Sequence, residues 1–197
     1  MIELELKSVV PDFDALRRTL ERGGATLVFA GELEDRRYDT GDRTLRARDH
    51  VLRVRMYRGP DGVRASADWK GPASFADGYK RREELTAEID DGDSVGAILE
   101  RMGYQVTMTI NRQIRQYLLA GAIVRLERYP RMDDLVEVEG TAESIESAIK
   151  RLGMPRSGFT SERLPDFVRR YEDRTGTKAA LSAAALSGVL VEDWADA

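Results

Sequence analysis

The sequence predicts an α+β fold in which an antiparallel sheet carries helices on one side. Three observations point to it. Seven stretches, from Met1 to Lys7 (MIELELK) through Leu135 to Glu139 (LVEVE), alternate apolar and charged residues with the period of two that marks a β-strand. Gly59-Pro60-Asp61-Gly62 joins two of these stretches as a hairpin. Segments with a helical repeat, each stopped by glycine, stand between and after the strands.

A chain of 197 residues suits one domain with an appendage at most, and it is long enough to bury a core without disulfides. The absence of cysteine excludes thiol chemistry, cysteine-ligated zinc and a disulfide framework. Thirty-five acidic against 31 basic residues give a net charge of -4, which argues against a general nucleic-acid binder. A charged fraction of 34% still leaves room for local clusters of either sign. Glu3 and Glu5 stand where a signal peptide would need basic and then apolar residues. The longest apolar run is broken by Ser182, Ser187 and Gly188 and is too short to cross a bilayer. A soluble cytoplasmic protein is expected, with neither a membrane nor a nucleic-acid partner.

In the first strand Ile2, Leu4 and Leu6 face opposite to Glu3, Glu5 and Lys7. Pro11 and Asp12 open a helix with Phe13, Leu16 and Leu20 aligned, ended by Gly23 and Gly24. Thr26 to Ala30 is extended, and Glu32 to Thr40 is a second charged strand. Arg43 to Arg48 is open between loop and short helix. Leu52 to Arg58 (LRVRMYR) sets Arg53 and Arg55 opposite Leu52, Val54 and Met56. Val63 to Lys70 returns with Ala65, Ala67 and Trp69 opposite Arg64, Ser66, Asp68 and Lys70. Gly71 to Asp77 reads as a loop.

Tyr79 to Ile89 sets Leu85, Ala87 and Ile89 against Lys80, Arg82 and Glu84. Ser94 to Met102 is a helix with Val95, Ile98, Leu99 and Met102 on its packing face. Tyr104 to Leu119 is a long strand on which parity groups Gln113 with Arg115; a bulge would instead turn Arg112 to that face. Ile123 to Tyr129 sets Arg125 and Glu127 opposite Val124 and Leu126, and the last strand carries Glu137 and Glu139. Helices follow over Thr141 to Leu152 and about Leu164 to Arg174, the latter with Pro165 in its first turn. Lys178 to Ala197, alanine-rich and acidic at its end, is helical or frayed. The domain is thus drawn as residues 1–177 with a tail of 178–197.

The signs on the polar faces are ordered. Glu3 and Glu5 come first, then Arg53, Arg55, Lys70, Lys80, Arg82, Arg115 and Arg125, and finally Glu137 and Glu139. If the sheet curls with its apolar side outward under helices, these faces converge on a lumen. Cations there call for an anion of several charges, and carboxylates tolerate that anion only through a divalent metal. A polyphosphate with Mg²⁺ or Mn²⁺ satisfies both.

On these residues the chain resembles the CYTH family, the triphosphate tunnel metalloenzymes, which include class IV adenylyl cyclases, thiamine triphosphatases and inorganic triphosphatases. Its ExExK signature matches Glu3, Glu5 and Lys7. Its basic strand matches Arg53 and Arg55 in LRVR. Lys70 in DWKG, Arg82 and Glu84 in KRREEL, and Glu127 with Glu137 and Glu139 match the later strands. The resemblance implies a closed antiparallel eight-stranded β-barrel, a tunnel open at both ends, with helices outside. In two places the chain departs from the family: Gln113 stands for a lysine, and Glu127 for a more usual aspartate.

The expected activity is divalent-metal-dependent hydrolysis of a linear inorganic or organic triphosphate such as tripolyphosphate, ATP or thiamine triphosphate. A class IV adenylyl cyclase making cyclic AMP and pyrophosphate is the alternative, and a non-catalytic polyphosphate-binding module a second. Glu3, Glu5 and Lys7 are the catalytic candidates. Lys7, Arg53, Arg55, Lys70, Arg82, Arg115 and Arg125 would bind substrate. Glu3, Glu5, Glu137, Glu139 and Glu127 would hold Mg²⁺ or Mn²⁺. His50, the one histidine, reads as surface decoration, and assembly is open between monomer and homodimer.

Overall fold

The computed structural model describes residues 2–188, with side chains from Leu4 onward. Its strands are β1 (Ile2–Val9), β2 (Thr26–Thr40), β3 (Val51–Gly59), β4 (Gly62–Lys70), β5 (Ser74–Ala76), β6 (Tyr79–Ile89), β7 (Tyr104–Leu119), β8 (Ala122–Arg128) and β9 (Leu135–Gly140). The helices are α1 (Phe13–Arg22), α2 (Thr44–Ala47), α3 (Gly92–Arg101), α4 (Ala142–Leu152), α5 (Leu164–Thr175) and α6 (Ala183–Leu186). The sheet runs β1-β9-β8-β7-β2-β3-β4-β6, and β1 pairs back onto β6, closing an antiparallel barrel of eight strands. Strand β5, in a stretch whose composition suggests a loop, adds to β6 beyond the end of β4. Closure leaves each of the eight barrel strands paired on both sides over part of its length.

The alternation dictates which way the barrel is turned. Leu6, Tyr117, Leu119, Val124, Leu126, Val136 and Val138 point outward and are almost fully buried against α1 and α4. Helix α1 begins where the Asp12 carboxylate accepts a hydrogen bond from Ala15 N at 2.9 Å, and it buries Phe13, Leu16 and Leu20. Helix α4 is capped by Thr141, buries Ile145, Ala148, Ile149 and Leu152, and ends at Gly153 with φ +69°. The main core is therefore a layer between barrel wall and helices, and the charged strand faces are left to the interior.

Three packing expectations change. Helix α3 does not dock through Ile98 and Met102, which are 56% and 68% exposed. It docks through Gly92 and Gly96, both buried. A Cβ on Gly92 would lie 3.2–3.3 Å from Met56, Ala65 and Val54, and one on Gly96 would lie 2.5 Å from the Tyr38 hydroxyl. Glycines let the helix backbone approach the wall more closely than its apolar stripe allows, and periodicity does not register that. On β6, Leu85 is 58% exposed and Ala87 also faces solvent, so this outer face is not helix-covered core.

The third change concerns one end of the barrel. Inward-facing Met108, Ile110 and Leu135 pack with Tyr129 against Phe167 and Val168 of α5, joined by Ala179 and Leu181. Leu181 O accepts from Asn111 N at 2.7 Å, and Ala180 bridges to Arg131. The interior is packed here, where the family resemblance implies an open mouth. The beginning of the tail is thus barrel wall, and its acidic end lies outside the described residues. No helix among the described residues is long and apolar enough to cross a membrane.

Gly96→Ala is expected to destabilise by about 1–2 kcal/mol in urea melts, because the overpacking outweighs alanine's better helix propensity. Adding Tyr38→Phe, which removes the clashing hydroxyl, should recover most of the loss.

Candidate active site

A cavity of about 1050 Å³ fills the barrel interior. Paired residues on neighbouring strands point the same way, so the register fixes which side chains meet there. Lys7 stands opposite Glu137, which stands opposite Arg125; Glu5 stands opposite Glu139 on one side and Lys80 on the other. Arg53 faces Asp68, and Lys70 faces Glu84. Lys7, Arg53, Arg55, Lys70, Lys80, Arg82 and Arg125 are buried, as are Glu5, Asp35, Asp68, Glu127 and Glu137.

Buried charges persist only when paired, and most of these are held by opposite charge on a neighbouring strand. The Lys7 ammonium lies 3.0 Å from Glu5 Oε1 and 2.5 Å from Glu137 Oε2. Lys80 donates to the same oxygen of Glu5, and Arg125 donates to Glu137 and lies 3.9 Å from Glu139. Burial alone would raise the Glu5 carboxyl, and Glu137 adds to that; Lys7, Lys80 and Lys70 outweigh both and bring it down to about 2. Glu137 is held well below the carboxylate range in the same way, against burial, by Lys7 and Arg125. Lys7 is correspondingly raised, and Lys80 is lowered by burial and by the neighbouring lysines despite Glu5.

A second network holds the arginines. Asp68 accepts from Arg55 Nε at 2.6 Å and Arg53 Nε at 3.3 Å, and also from Thr86 and Ser66. Arg53 Nη1 reaches Asp35 at 3.3 Å. Burial raises Asp68, but the two arginines bring it to about 2. Arg82 is turned toward the backbone carbonyls of Gly71 and Asp49, while Asp49 is held by Arg163 at the start of α5.

The sequence-derived assignments fall out unevenly. Glu5, Lys7, Arg53, Arg55, Lys70, Arg82, Arg125, Glu127, Glu137 and Glu139 all line the cavity. The side chain of Glu3 lies outside the described residues; its backbone pairs with Arg82. Arg115 does not line the cavity. It stands opposite Leu126 on the outer face, and Gln113 is exposed and donates to Glu32 at 3.0 Å. Arg112 takes the inward place: its Nε donates to Glu127 at 2.8 Å. Parity does group Gln113 with Arg115, but the lumen face is the opposite one: Ile114 pairs with inward Glu127 and Gln116 with inward Arg125, and Arg112 shares their side.

Glu127, expected as a metal ligand, is engaged by two donors in this structure. It is 2% exposed and accepts from both Arg112 and the Tyr129 hydroxyl, the latter at 2.6 Å. Several charged residues of the site, Lys80 and Arg112 among them, are absent from the sequence-derived set. Asp35, Arg37 and Asp68 line the cavity, and the alternation of strand β2 carries the signal for the first two. His50 lines it as well, edge-on to Trp69 with ring centroids 5.1 Å apart, so it is not mere surface decoration.

Among the described residues no three carboxylate or imidazole groups already converge on one point. The chemistry of Glu5, Glu137 and Glu139 nevertheless fits a hard divalent cation. The Lys7 ammonium held between Glu5 and Glu137 marks that position as one that takes positive charge.

A closed antiparallel barrel whose interior gathers ion-paired carboxylates, lysines and arginines defines a charged-lumen barrel class. The chain belongs to the CYTH domain family, whose model matches residues 1–150. Enzymes of this family act on triphosphates and generally depend on divalent metal. No curated protein sequence matches the chain. Among solved structures, a putative adenylate cyclase from Vibrio parahaemolyticus superposes with a TM-score of 0.73 at 20% identity, covering 86% of this chain and 98% of that one. The PH1819 protein of Pyrococcus horikoshii gives 0.68 at 21% identity, covering 82% and 94%. A putative adenylyl cyclase from Hippeastrum, described as revealing a dominant triphosphatase activity, gives 0.62 at 18%, covering 92% and 98%. At these identities the likeness is one of fold.

Arg112→Ala should cost about 3 kcal/mol by leaving Glu127 buried without its cation, whereas Gln113→Ala should stay within about 0.5 kcal/mol; chemical denaturation of both variants checks this. The pH dependence follows from Glu5 and Asp68, whose folded values lie below the ordinary 4.5 and 3.8. Their stabilisation is present above about 4.5 and is lost as pH falls toward about 2. Asp68→Asn should therefore be less stable than wild type at pH 7 and show a smaller further loss across that window in melting temperature.

Proposed function

We propose that the protein is a divalent-metal-dependent phosphohydrolase that cleaves a linear triphosphate bound along the barrel axis. The observation that carries this reading is the convergence, in one cavity, of Lys7, Lys70, Lys80, Arg53, Arg55, Arg112 and Arg125 with Glu5 and Glu137. A surface anion patch would not bring buried carboxylates among its cations. A triphosphate and its metal account for both.

Arg53, Arg55 and Arg112 present forked donors to nonbridging oxygens, and Asp68, Asp35 and Glu127 hold those forks in place. Lys7, Lys80 and Arg125 are held by Glu5 and Glu137, so phosphate oxygens arriving there would draw the cations away and leave the carboxylates to face metal. Glu5, Glu137 and Glu139 would hold the ion. When bound it would neutralise the phosphate chain and lower the pKa of a water near the terminal phosphorus. Glu5, with its pKa near 2, stays ionised at neutral pH and suits a fixed negative donor rather than a proton carrier. The Lys7 ammonium, kept charged by its two carboxylates, would stabilise the charge that builds on the transferring phosphoryl group.

The cyclase reading needs an aromatic or polar pocket for a base. Two of the cavity tyrosines are otherwise engaged. Tyr57 accepts from Arg55 Nη1 at 2.9 Å and sets its ring against Phe29, and Tyr129 serves Glu127. This favours hydrolysis.

With Mg²⁺ or Mn²⁺, tripolyphosphate is expected to give orthophosphate and pyrophosphate, and chelation to stop it. ATP turned into cyclic AMP and pyrophosphate would establish the cyclase instead, and no product from either would leave a binding module. Glu5→Gln should lower turnover at saturating metal by at least about 100-fold, as expected for loss of a charge that acts in the transition state. It should also lower the melting temperature, because Lys80 loses its carboxylate. Near wild-type turnover in that variant would remove Glu5 from the metal site.

A further inference from the structure

Arg37 lies on β2, inside the barrel, and stands directly opposite Arg53 on β3. Like charges in opposed positions on adjacent strands repel. Arg53 is relieved by Asp35 and Asp68, at 3.3 Å each. Arg37 shares no such contact among the described residues: its Nε is buried and has no hydrogen-bond partner, and the neighbouring Arg112 Nη1 is in the same condition. A buried donor left without an acceptor is costly, and a charged one more so. Burial, Arg53, Arg112 and Arg82 all work against the Arg37 charge, and Asp35 opposes them only in part.

The position of Arg37 is also informative. On its other side it pairs with Met108, two residues from Ile110, and both pack against α5. Arg37 therefore stands where the charged lumen meets the apolar packing beneath α5, at the inner end of the cavity. A fold that only needed its lumen neutral would place no second arginine opposite Arg53.

We propose that Arg37 is a further substrate-binding residue, one that receives the terminal phosphoryl group of a triphosphate reaching the inner end of the barrel and so selects for chain length. The proposal rests on the triphosphate reading above and deepens it. With that group in place the Arg37 Nε and the Arg112 Nη1 gain anionic oxygens, and the opposition of Arg37 and Arg53 becomes a clamp. A chain one phosphoryl shorter, held by Lys7 and Arg125 at the carboxylate side, leaves Arg37 unengaged.

The test compares wild type with Arg37→Met, which keeps much of the side chain's apolar length and removes charge and donors. Melting temperature without ligand and calorimetric affinity for tripolyphosphate and pyrophosphate, each with Mg²⁺, are measured on the full chain. Arg37→Met is expected to melt higher than wild type without ligand. It should bind tripolyphosphate at least 10-fold more weakly and pyrophosphate less than 3-fold more weakly. Arg37→Lys should fall between, since it restores charge without the fork. A lower melting temperature without ligand makes Arg37 a structural residue and overturns the proposal. Equal losses for the two anions reduce it to a general contribution to potential and overturn chain-length selection. If wild type binds tripolyphosphate and Arg37→Met binds it equally, the assignment fails while the triphosphate reading stands. If wild type itself does not bind tripolyphosphate, that reading fails and takes the ligand of Arg37 with it.

Discussion

The mutual neutralisation of charges inside the barrel is the constraint on which the rest of the structure depends. Each lumen-facing charge, taken alone, would cost several kcal/mol to remove from water. The strand register reduces that cost by setting opposite signs side by side: Lys7 with Glu137, Arg53 with Asp68, Lys70 with Glu84, Glu5 with Lys80. A slip of one residue on β1, β4 or β6 would break two of these pairs and also turn apolar residues inward. Pairing and register therefore enforce each other. The outer layer of Leu6, Val124, Val136 and Val138 against α1 and α4 supplies the apolar burial that pairing of charges alone does not.

The same pairing bears on function. Interior carboxylates that only neutralised cations would be replaceable, together with them, by apolar residues of similar shape, often without loss of stability. The barrel instead keeps two distinct kinds of pair. Asp68 is hydrogen-bonded by two arginines, a threonine and a serine, a saturated arrangement that fixes the guanidinium forks. Glu5 and Glu137 are held chiefly by ammonium groups and a single arginine, partners that a phosphate oxygen could take over. On the proposed reading one network stays and the other exchanges.

Legibility from sequence follows how local each determinant is. Face parity on β1, β3, β4 and β8 is a property of consecutive residues, so the sequence by itself groups Glu5, Lys7, Arg53, Arg55, Lys70 and Arg125 on the faces that line the barrel. Barrel closure is legible only through the resemblance of spaced motifs, because nothing in a strand's own pattern says which strand it will pair with. What escapes is non-local. Which face of β7 turns inward is set by its partners: Ile114 lies opposite Glu127 and Gln116 opposite Arg125, so Arg112 shares the lumen face while Gln113 and Arg115 take the outer one. The seat of α3 is set by two glycines whose significance lies in Tyr38, Met56 and Val54 on other strands.

Glu127 shows what a sequence pattern leaves open even where it places a residue correctly. Its position in the pattern is that of a metal-binding acid, and its inward direction is as expected. Yet a longer carboxylate beside an inward arginine and a tyrosine two residues on is captured by both, through Arg112 Nε at 2.8 Å and the Tyr129 hydroxyl at 2.6 Å. Burial and the nearby Glu127 charge push the Tyr129 hydroxyl well above its ordinary range, so it remains a donor at any working pH. This acid is 2% exposed and has both donors in place. Its effect reaches the lumen through Arg112, whose fork it orients. On the proposed reading, the carboxylates that would face a metal are those of β1 and β9, and the arginines fixed on β3 and β7 would supply the grip.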